Sequence, residues 1–186
     1  MRPATLRLST CVCCLLLATS ARATDYYVSS TGLDANRGTS PAEAWRTIQR
    51  VNNDQYRPGD RILFEGGTTF SGNLFLDAVD AGAPDAPVTI GSYGTGRATI
   101  YAGDGTGILI HNAAGFVVRD LFVIGSGSTT NTGDGIFFFA DLAGDVKLPY
   151  IRIDHVDAAR FGDYGILIGS NNGNTGYADV RITAAV

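Results

Sequence analysis

One short phrase of sequence, a glycine followed by alternating apolar residues, occurs three times in the second half of the chain. Residues 107–111 read Gly-Ile-Leu-Ile-His, and residues 116–121, Phe-Val-Val-Arg-Asp-Leu, follow them after a polar turn. The second copy starts at Gly135 and the third at Gly165, so the opening glycines are 28 and then 30 residues apart. A period of this length is typical of repeats that stack, because no single repeat buries its own apolar face.

Within each copy, apolar residues alternate with their neighbours in the pattern of a strand that has one buried face. Equivalent inward positions of successive copies are expected to lie side by side in parallel strands. The expected columns are Ile108, Ile136 and Ile166; Ile110, Phe138 and Ile168; and Val118, Ile153 and Ile182.

The composition is that of a folded, acidic protein. Of the 186 residues, 45% are hydrophobic and 17% are charged, which is sufficient for a core and unlike a disordered chain. The formal net charge is -4, and lysine and arginine form no basic run. This charge balance argues against a nucleic-acid partner.

The first 23 residues have the features of a secretory signal peptide. Arg2 and Arg7 precede an apolar run over residues 8–19, and residues 21–23, Ala-Arg-Ala, form a small-residue cleavage site. The run is too short for a comfortable membrane span, although a retained anchor is the alternative. The three cysteines all lie inside this segment (Cys11, Cys13 and Cys14). We therefore expect a secreted protein, extracellular or periplasmic, whose mature chain has no cysteine and no membrane span.

One helix is predicted, over residues 40–51. Ser40, Pro41 and Glu43 match a capping box with proline at the first helical position. Trp45 and Val51 belong to one apolar stripe of this helix, so Trp45 is interpreted as a buried residue that covers the end of the sheet. A sugar-stacking platform is the other interpretation of Trp45. The remaining mature chain is short strands separated by turns, and the repeat favours a β-solenoid over a sandwich or barrel.

Several ordered motifs carry a family resemblance. They are residues 26–29 (Tyr-Tyr-Val-Ser), 38–41 (Gly-Thr-Ser-Pro), 45–49 (Trp-Arg-Thr-Ile-Gln), 58–60 (Pro-Gly-Asp) and 66–68 (Gly-Gly-Thr). In this order they resemble the N-terminal portion of right-handed parallel β-helix proteins of the pectate-lyase-like superfamily. The resemblance implies an all-β, right-handed parallel β-helix (solenoid) with a short N-terminal capping α-helix.

The expected layout has three parts. Residues 1–23 form the signal peptide, residues 24–56 the N-terminal strand and capping helix, and residues 57–186 the β-helix coils. Members of the superfamily usually continue for more coils, so we expect the chain to be truncated at its C-terminal end. An open last coil also predicts end-to-end self-association.

The resemblance implies a partner and a cofactor. Members act on or bind polysaccharides, including uronate-containing ones, as lyases or hydrolases, and lyases of this kind use Ca²⁺. Asp104, Asp134 and Asp163 each precede the glycine of a repeat and are the candidate Ca²⁺ ligands, because carboxylate oxygens suit this ion. The alternative is that aspartate is common in turns before glycine. No catalytic residue is identified from the sequence.

Three further residues are candidates for substrate binding. Arg152 and Arg181 occupy equivalent outward positions and are suited to grip an anionic sugar, although Asp179 or Asp154 fits between them equally well. Tyr164 offers an exposed ring for a sugar. The function is therefore expected to be a secreted polysaccharide lyase or hydrolase, or alternatively a non-catalytic glycan-binding or surface module, or a truncated inactive fragment.

Overall fold

The computed structural model describes residues 22–186, so nearly all of the predicted signal peptide lies outside the described residues. Strands are numbered in chain order and form two sheets. The large sheet contains β1 (Asp25–Val28), β2 (Arg61–Glu65), β3 (Thr69–Ser71), β5 (Val88–Tyr93), β6 (Ala98–Gly103), β8 (Phe116–Gly125), β10 (Lys147–Ala159) and β12 (Gly176–Thr183). The small sheet contains β4 (Leu74–Leu76), β7 (Ile108–His111), β9 (Ile136–Ala140) and β11 (Ile166–Ser170).

Every named strand pair is parallel, and the register places the three copies of the repeat side by side. In the small sheet Ile136 pairs with both Ile108 and Ile166. In the large sheet Ile153 pairs with both Val118 and Ile182. The predicted columns of inward residues are therefore confirmed.

The core contains the inward residues of the first two copies, whereas Ile182 of the third copy is 46% exposed. In β9 the side chains of Ile136 and Phe138 are fully buried, while Phe137 and Phe139 between them are half-buried on the outer face. Burying each large aliphatic or aromatic side chain contributes about 1.5–3 kcal/mol. Repetition of one column from strand to strand therefore stabilises both sheets together.

The first edge of the large sheet is covered. Trp45 forms an isolated parallel bridge to Val28 of β1, is fully buried, and donates its indole N–H to the carbonyl oxygen of Asn36 at 3.0 Å. Its ring stacks on Tyr26 with centroids 5.1 Å apart. The interpretation of Trp45 as a buried covering residue is thus confirmed.

The predicted helix over residues 40–51 is wrong in its extent. Residues Pro41–Glu43 form one turn of 3₁₀-helix, Ser40 makes no side-chain capping bond, and α1 covers only Ile48–Asn52. The segment between them is extended because Trp45 pairs with β1. Thr47 caps α1 by accepting a hydrogen bond from the backbone N–H of Arg50 at 3.1 Å. A second 3₁₀ turn covers Ala78–Asp80.

The fold class is corrected in its architecture. The described residues are all-β, but they form two parallel sheets and a single five-residue α-helix rather than the predicted right-handed β-helix solenoid with a capping helix. The period of the repeat established which strands pair, whereas it did not establish how the sheets are arranged. No helix among residues 22–186 has the length and apolar character needed to cross a membrane.

Candidate functional site

Three turns at one end of the strands are held together by a buried asparagine. We call the turns at residues 103–107, 126–135 and 160–165 the turn stack. The Asn131 side-chain amide donates to the carbonyl oxygens of Gly103 at 2.8 Å and Gly105 at 2.9 Å. Its oxygen accepts the backbone N–H of Gly133 at 2.8 Å and of Gly162 at 3.3 Å. One side chain therefore fixes the separation of all three turns.

Asp134 is a buried carboxylic acid within the turn stack. Only 6% of the residue is exposed, and its Oδ1 accepts the backbone N–H of Tyr164 at 3.1 Å. Burial raises the pKa of Asp134, and the nearby charge of Asp163 raises it further, although the hydrogen bond from Tyr164 opposes this. The pKa of Asp134 is therefore displaced in the direction that a general acid requires.

Asp163 and Tyr164 lie on the exposed side of the same turns. Both residues are exposed, and Tyr164 retains 54% of its accessible surface. The turn stack therefore brings together a buried acid, an exposed carboxyl group and an exposed aromatic ring. Two neighbouring carboxyl groups in different environments can have different pKa values, which suits general acid–base catalysis.

Asp104 lies in the first turn of the turn stack and is hydrogen-bonded to residues of the second turn. Its Oδ1 accepts the Ser126 hydroxyl at 2.5 Å, and its carbonyl oxygen accepts the backbone N–H of Thr132 at 3.0 Å. Among residues 22–186 no group of three or more histidine, cysteine, aspartate or glutamate side chains converges in a way that suits a metal ion. No chemical step is therefore derived through Ca²⁺. Calcium binding itself stays a prediction.

Arg152 and Arg181 pair in register, and Asp179 lies between them. Arg152 donates Nη2–H to Asp179 Oδ2 at 2.7 Å and packs 4.0 Å from the centre of the Tyr150 ring. Arg181 Nε is 3.7 Å from Asp179 Oδ1. The hydrogen bond from Arg152 lowers the pKa of Asp179, which keeps it ionised. The aspartate that the sequence left as an alternative is therefore the group that separates the two arginines.

These arginines are not part of the turn stack. They lie on β10 and β12 of the large sheet, whereas Tyr164 precedes β11 of the small sheet. Arg152 is already engaged with Asp179, while the side chain of Arg181 keeps 71% of its accessible surface. Of the two, Arg181 is the more accessible to an anionic ligand.

A cluster at the end of the small sheet was not identified from the sequence. His111 is the last residue of β7 and Asn112 follows it, while Asp141 follows the end of the neighbouring strand β9. Asn112 Nδ2–H donates to Asp141 Oδ1 at 2.6 Å, and His111 Nε2 lies 3.2 Å from the same oxygen. The spacing of 29 residues between Asn112 and Asp141 is one more than the 28-residue register of β7 and β9, so the repeat alone did not point to this contact.

A second histidine contact was also missed. His155 Nδ1 lies 2.9 Å from Asp120 Oδ1, and the two residues occupy equivalent corners of β10 and β8. Both corners have positive φ, 54° in each case, which permits the sharp bend within each strand.

Comparison with known proteins finds a curated relative and several solved structures of similar fold. No family model matches. Over 79 residues the chain is 42% identical to a lacto-N-biosidase from Bifidobacterium longum subsp. longum. The aligned region covers 41% of this chain and 5% of that protein. The fold is similar to the GH136 lacto-N-biosidase from Eubacterium ramulus, with a TM-score of 0.71 for the selenomethionine derivative and 0.63 for the native protein.

The structural match is a match of fold. Sequence identity to the Eubacterium ramulus structures is 18%, and the alignments cover 87% and 86% of this chain but 34% of those chains. This chain therefore spans about a third of the solved relatives and a small part of the curated one. The predicted resemblance to the pectate-lyase-like superfamily is corrected, because both kinds of comparison find lacto-N-biosidases instead.

Proposed function

We propose that this chain is part of a secreted glycoside hydrolase related to lacto-N-biosidases and that it acts on glycans containing lacto-N-biose. The observation that carries the proposal is the 42% identity over 79 residues with the Bifidobacterium longum enzyme. The turn stack supports it, because acid-catalysed cleavage of a glycosidic bond needs a carboxyl group that holds its proton.

The proposed roles follow from the environments of three residues. Asp134 donates its proton to the glycosidic oxygen of the leaving sugar, since burial favours its protonated form. Asp163 is the neighbouring exposed carboxyl group and stabilises the positive charge that develops on the sugar as the glycosidic bond breaks, until water adds to the anomeric carbon and completes the hydrolysis. Tyr164 offers its exposed ring to the apolar face of a sugar.

Hydrolysis of a chromogenic lacto-N-bioside tests this function. We expect the purified chain to release the chromophore and Asp134→Asn to lose at least about a hundredfold in rate, the usual contribution of general acid catalysis. Asp145→Asn, an exposed residue in the loop before β10, is the matched control and keeps the parent rate. Equal rates for Asp134→Asn and the parent protein would remove the proposed acid.

A non-catalytic glycan-binding module is the second candidate function. The exposed aromatic and carboxyl groups of the turn stack support this candidate as well. Binding of lacto-N-biose without release of product would favour it over the hydrolase. Binding and cleavage of polygalacturonate, measured with and without Ca²⁺, test the predictions of a uronate-containing partner and of a calcium cofactor. A gain of binding on adding Ca²⁺ that Asp104→Asn abolishes would support the calcium site.

Self-association through the last strands is a further part of the proposal. The end formed by β11 and β12 exposes Val180 at 37% and Ile182 at 46%, and the hydroxyl of Tyr177 there is buried without a hydrogen-bond partner among the described residues. The same end carries Arg181 and Asp179, so two copies related by a two-fold axis would present complementary charges to each other. Secretion, inferred from residues 1–23, is proposed on the sequence alone.

A further inference from the structure

The outer face of the small sheet carries an aromatic cluster next to polar side chains. His111 and Phe139 pair in register, and their rings stack with centroids 5.7 Å apart and planes inclined by 11°. The Phe137 ring follows at 5.3 Å from Phe139. We call the group His111, Asn112, Phe137, Phe139 and Asp141 the aromatic corner.

Next to Phe139 the strand β11 leaves an open shelf. The register partner of Phe139 on β11 is Gly169, so no side chain covers that flank of the ring. A Cβ placed on Gly169 would meet no atom within 4 Å. The shelf is therefore free space beside an aromatic ring, at the same level in the sheet.

The polar side of the aromatic corner is held in place by reciprocal hydrogen bonds. Asn112 Nδ2–H donates to Asp141 Oδ1 at 2.6 Å, and the backbone N–H of Asp141 donates to Asn112 Oδ1 at 2.9 Å. His111 Nε2 also faces Oδ1, at 3.2 Å. The hydrogen bond from Asn112 lowers the pKa of Asp141 and so keeps it ionised. Both contacts fall on Oδ1, while the side chain as a whole keeps 45% of its accessible surface.

An ionised, fixed carboxylate beside a ring with one open flank matches the two kinds of surface on a sugar. The C–H face of a pyranose packs on an aromatic ring, and its hydroxyl groups donate to a carboxylate. An apolar polypeptide would desolvate Asp141 without pairing it, which is costly. A uronic acid would place a second negative charge beside Asp141, which is unfavourable.

We infer that the aromatic corner binds one neutral pyranose, with its C–H face over Phe139 and the Gly169 shelf and a hydroxyl group donating to Asp141. The inference rests on the proposed action on glycans for the class of ligand. It does not depend on the turn stack, because the residues of the two places are different. It adds a binding position on the small sheet to the proposed acid in the turn stack.

Titration of the full chain with lacto-N-biose, galactose and galacturonate, followed by NMR of the histidine and phenylalanine ring signals, tests the inference. We expect the neutral sugars to shift the signals of His111 and Phe139 and galacturonate to bind at least about tenfold more weakly. A charge-assisted hydrogen bond contributes about 1.5–3 kcal/mol, so Asp141→Asn is expected to weaken neutral-sugar binding by about tenfold or more.

Two matched variants separate binding from folding. Gly169→Val fills the shelf with a strand-compatible side chain and is expected to abolish the shifts at Phe139, while the contacts of Asp141 stay intact. Asp145→Asn makes the same charge change in the following loop and is expected to leave binding unchanged.

These measurements distinguish sugar binding at the aromatic corner from catalysis by the turn stack. Binding that is unaltered by both Asp141→Asn and Gly169→Val, or absent from the parent protein, overturns the aromatic corner. Equal affinity for galacturonate overturns it as well. Shifts at Phe139 that persist in Asp134→Asn, together with no hydrolysis by the parent protein, support the aromatic corner and contradict only the proposed catalysis.

Discussion

Replacing Asn131 with alanine tests whether one side chain holds the turn stack together. The residue is 3% exposed and makes four hydrogen bonds to backbone groups of three turns. The net contribution of such a bond is about 1 kcal/mol. Because the bond from Gly162 is the longest, at 3.3 Å, the expected total loss is about 3–4 kcal/mol.

The three turns are packed so closely that they cannot move to replace the hydrogen bonds lost in Asn131→Ala. A Cβ on Gly162 would lie 2.0 Å from the carbonyl oxygen of Asn131, so only glycine permits this approach. Collapse of the neighbouring turns into the space left by the amide would bring backbone groups into conflict. We therefore expect the unpaired carbonyl and N–H groups to remain partly buried in Asn131→Ala.

Urea unfolding followed by Trp45 fluorescence measures the effect, because this single tryptophan is buried beside β1 and lies outside the turn stack. With a slope of about 2 kcal/mol/M, the midpoint is expected to fall by about 1.5–2 M. Asn171→Ala, at an exposed turn, is the control and shifts the midpoint by less than about 0.3 M. A change of less than about 0.5 kcal/mol in Asn131→Ala would refute the reasoning.

Four further outcomes are expected. Trp45→Ala destabilises the chain by about 3–5 kcal/mol in thermal unfolding followed by circular dichroism, because it opens a cavity beneath β1; a loss below about 1 kcal/mol would contradict this. Asp134→Asn becomes progressively more stable than the parent as pH rises above the unfolded aspartate pKa of about 4; a parallel pair of stability–pH curves contradicts the raised pKa. Asp179→Asn releases Arg152 and strengthens sulfate binding in calorimetry, and unchanged binding refutes its shielding role. Ile182→Asp reduces any dimer detected by light scattering, whereas a dimer of undiminished strength excludes this end as the interface.

The raised pKa of Asp134 couples the stability of the folded chain to pH. Its folded pKa is raised, so the favourable contribution of the protonated form is fully present below the unfolded pKa. As pH rises from the unfolded pKa to the folded one, Asp134 ionises in the unfolded chain while it stays protonated in the folded state, so this contribution to stability is lost. Asparagine does not ionise, and its side-chain oxygen still accepts the N–H of Tyr164. The difference therefore grows over this window and stays constant above it.

The pairing of strands was predictable from sequence because it depends on a local pattern repeated at a fixed spacing. Ile108, Ile136 and Ile166 were expected to lie side by side, and they do. The pattern is silent about how two sheets are placed relative to each other, which depends on the turns between them. The assignment to a β-helix solenoid went beyond the pattern and was wrong.

The extent of the N-terminal helix was not predictable from local signals. Ser40, Pro41 and Glu43 match a helix start, but the bridge of Trp45 to Val28 holds the next residues extended. A contact with a distant strand thus prevailed over local capping preferences. Such a contact is not encoded in the residues of the segment itself.

The candidate site was predictable only in part. Asp134 and Asp163 were chosen because they precede a repeat glycine and Tyr164 because its ring suits a sugar, and the turn stack brings them together. The burial that raises the pKa of Asp134 depends on Asn131 and on three turns that are distant in sequence. The aromatic corner depends in the same way on side chains one repeat apart, which single-residue patterns do not reveal.

The dependence on pH of kcat/KM for release of lacto-N-biose tests the central claim most directly. We predict activity that falls on the alkaline side as Asp134 loses its proton, and loss of at least about a hundredfold at every pH in Asp134→Asn. Asp145→Asn is expected to reproduce the parent profile. A profile that Asp134→Asn leaves unchanged, or release of no lacto-N-biose by the parent protein at any pH, would contradict the account.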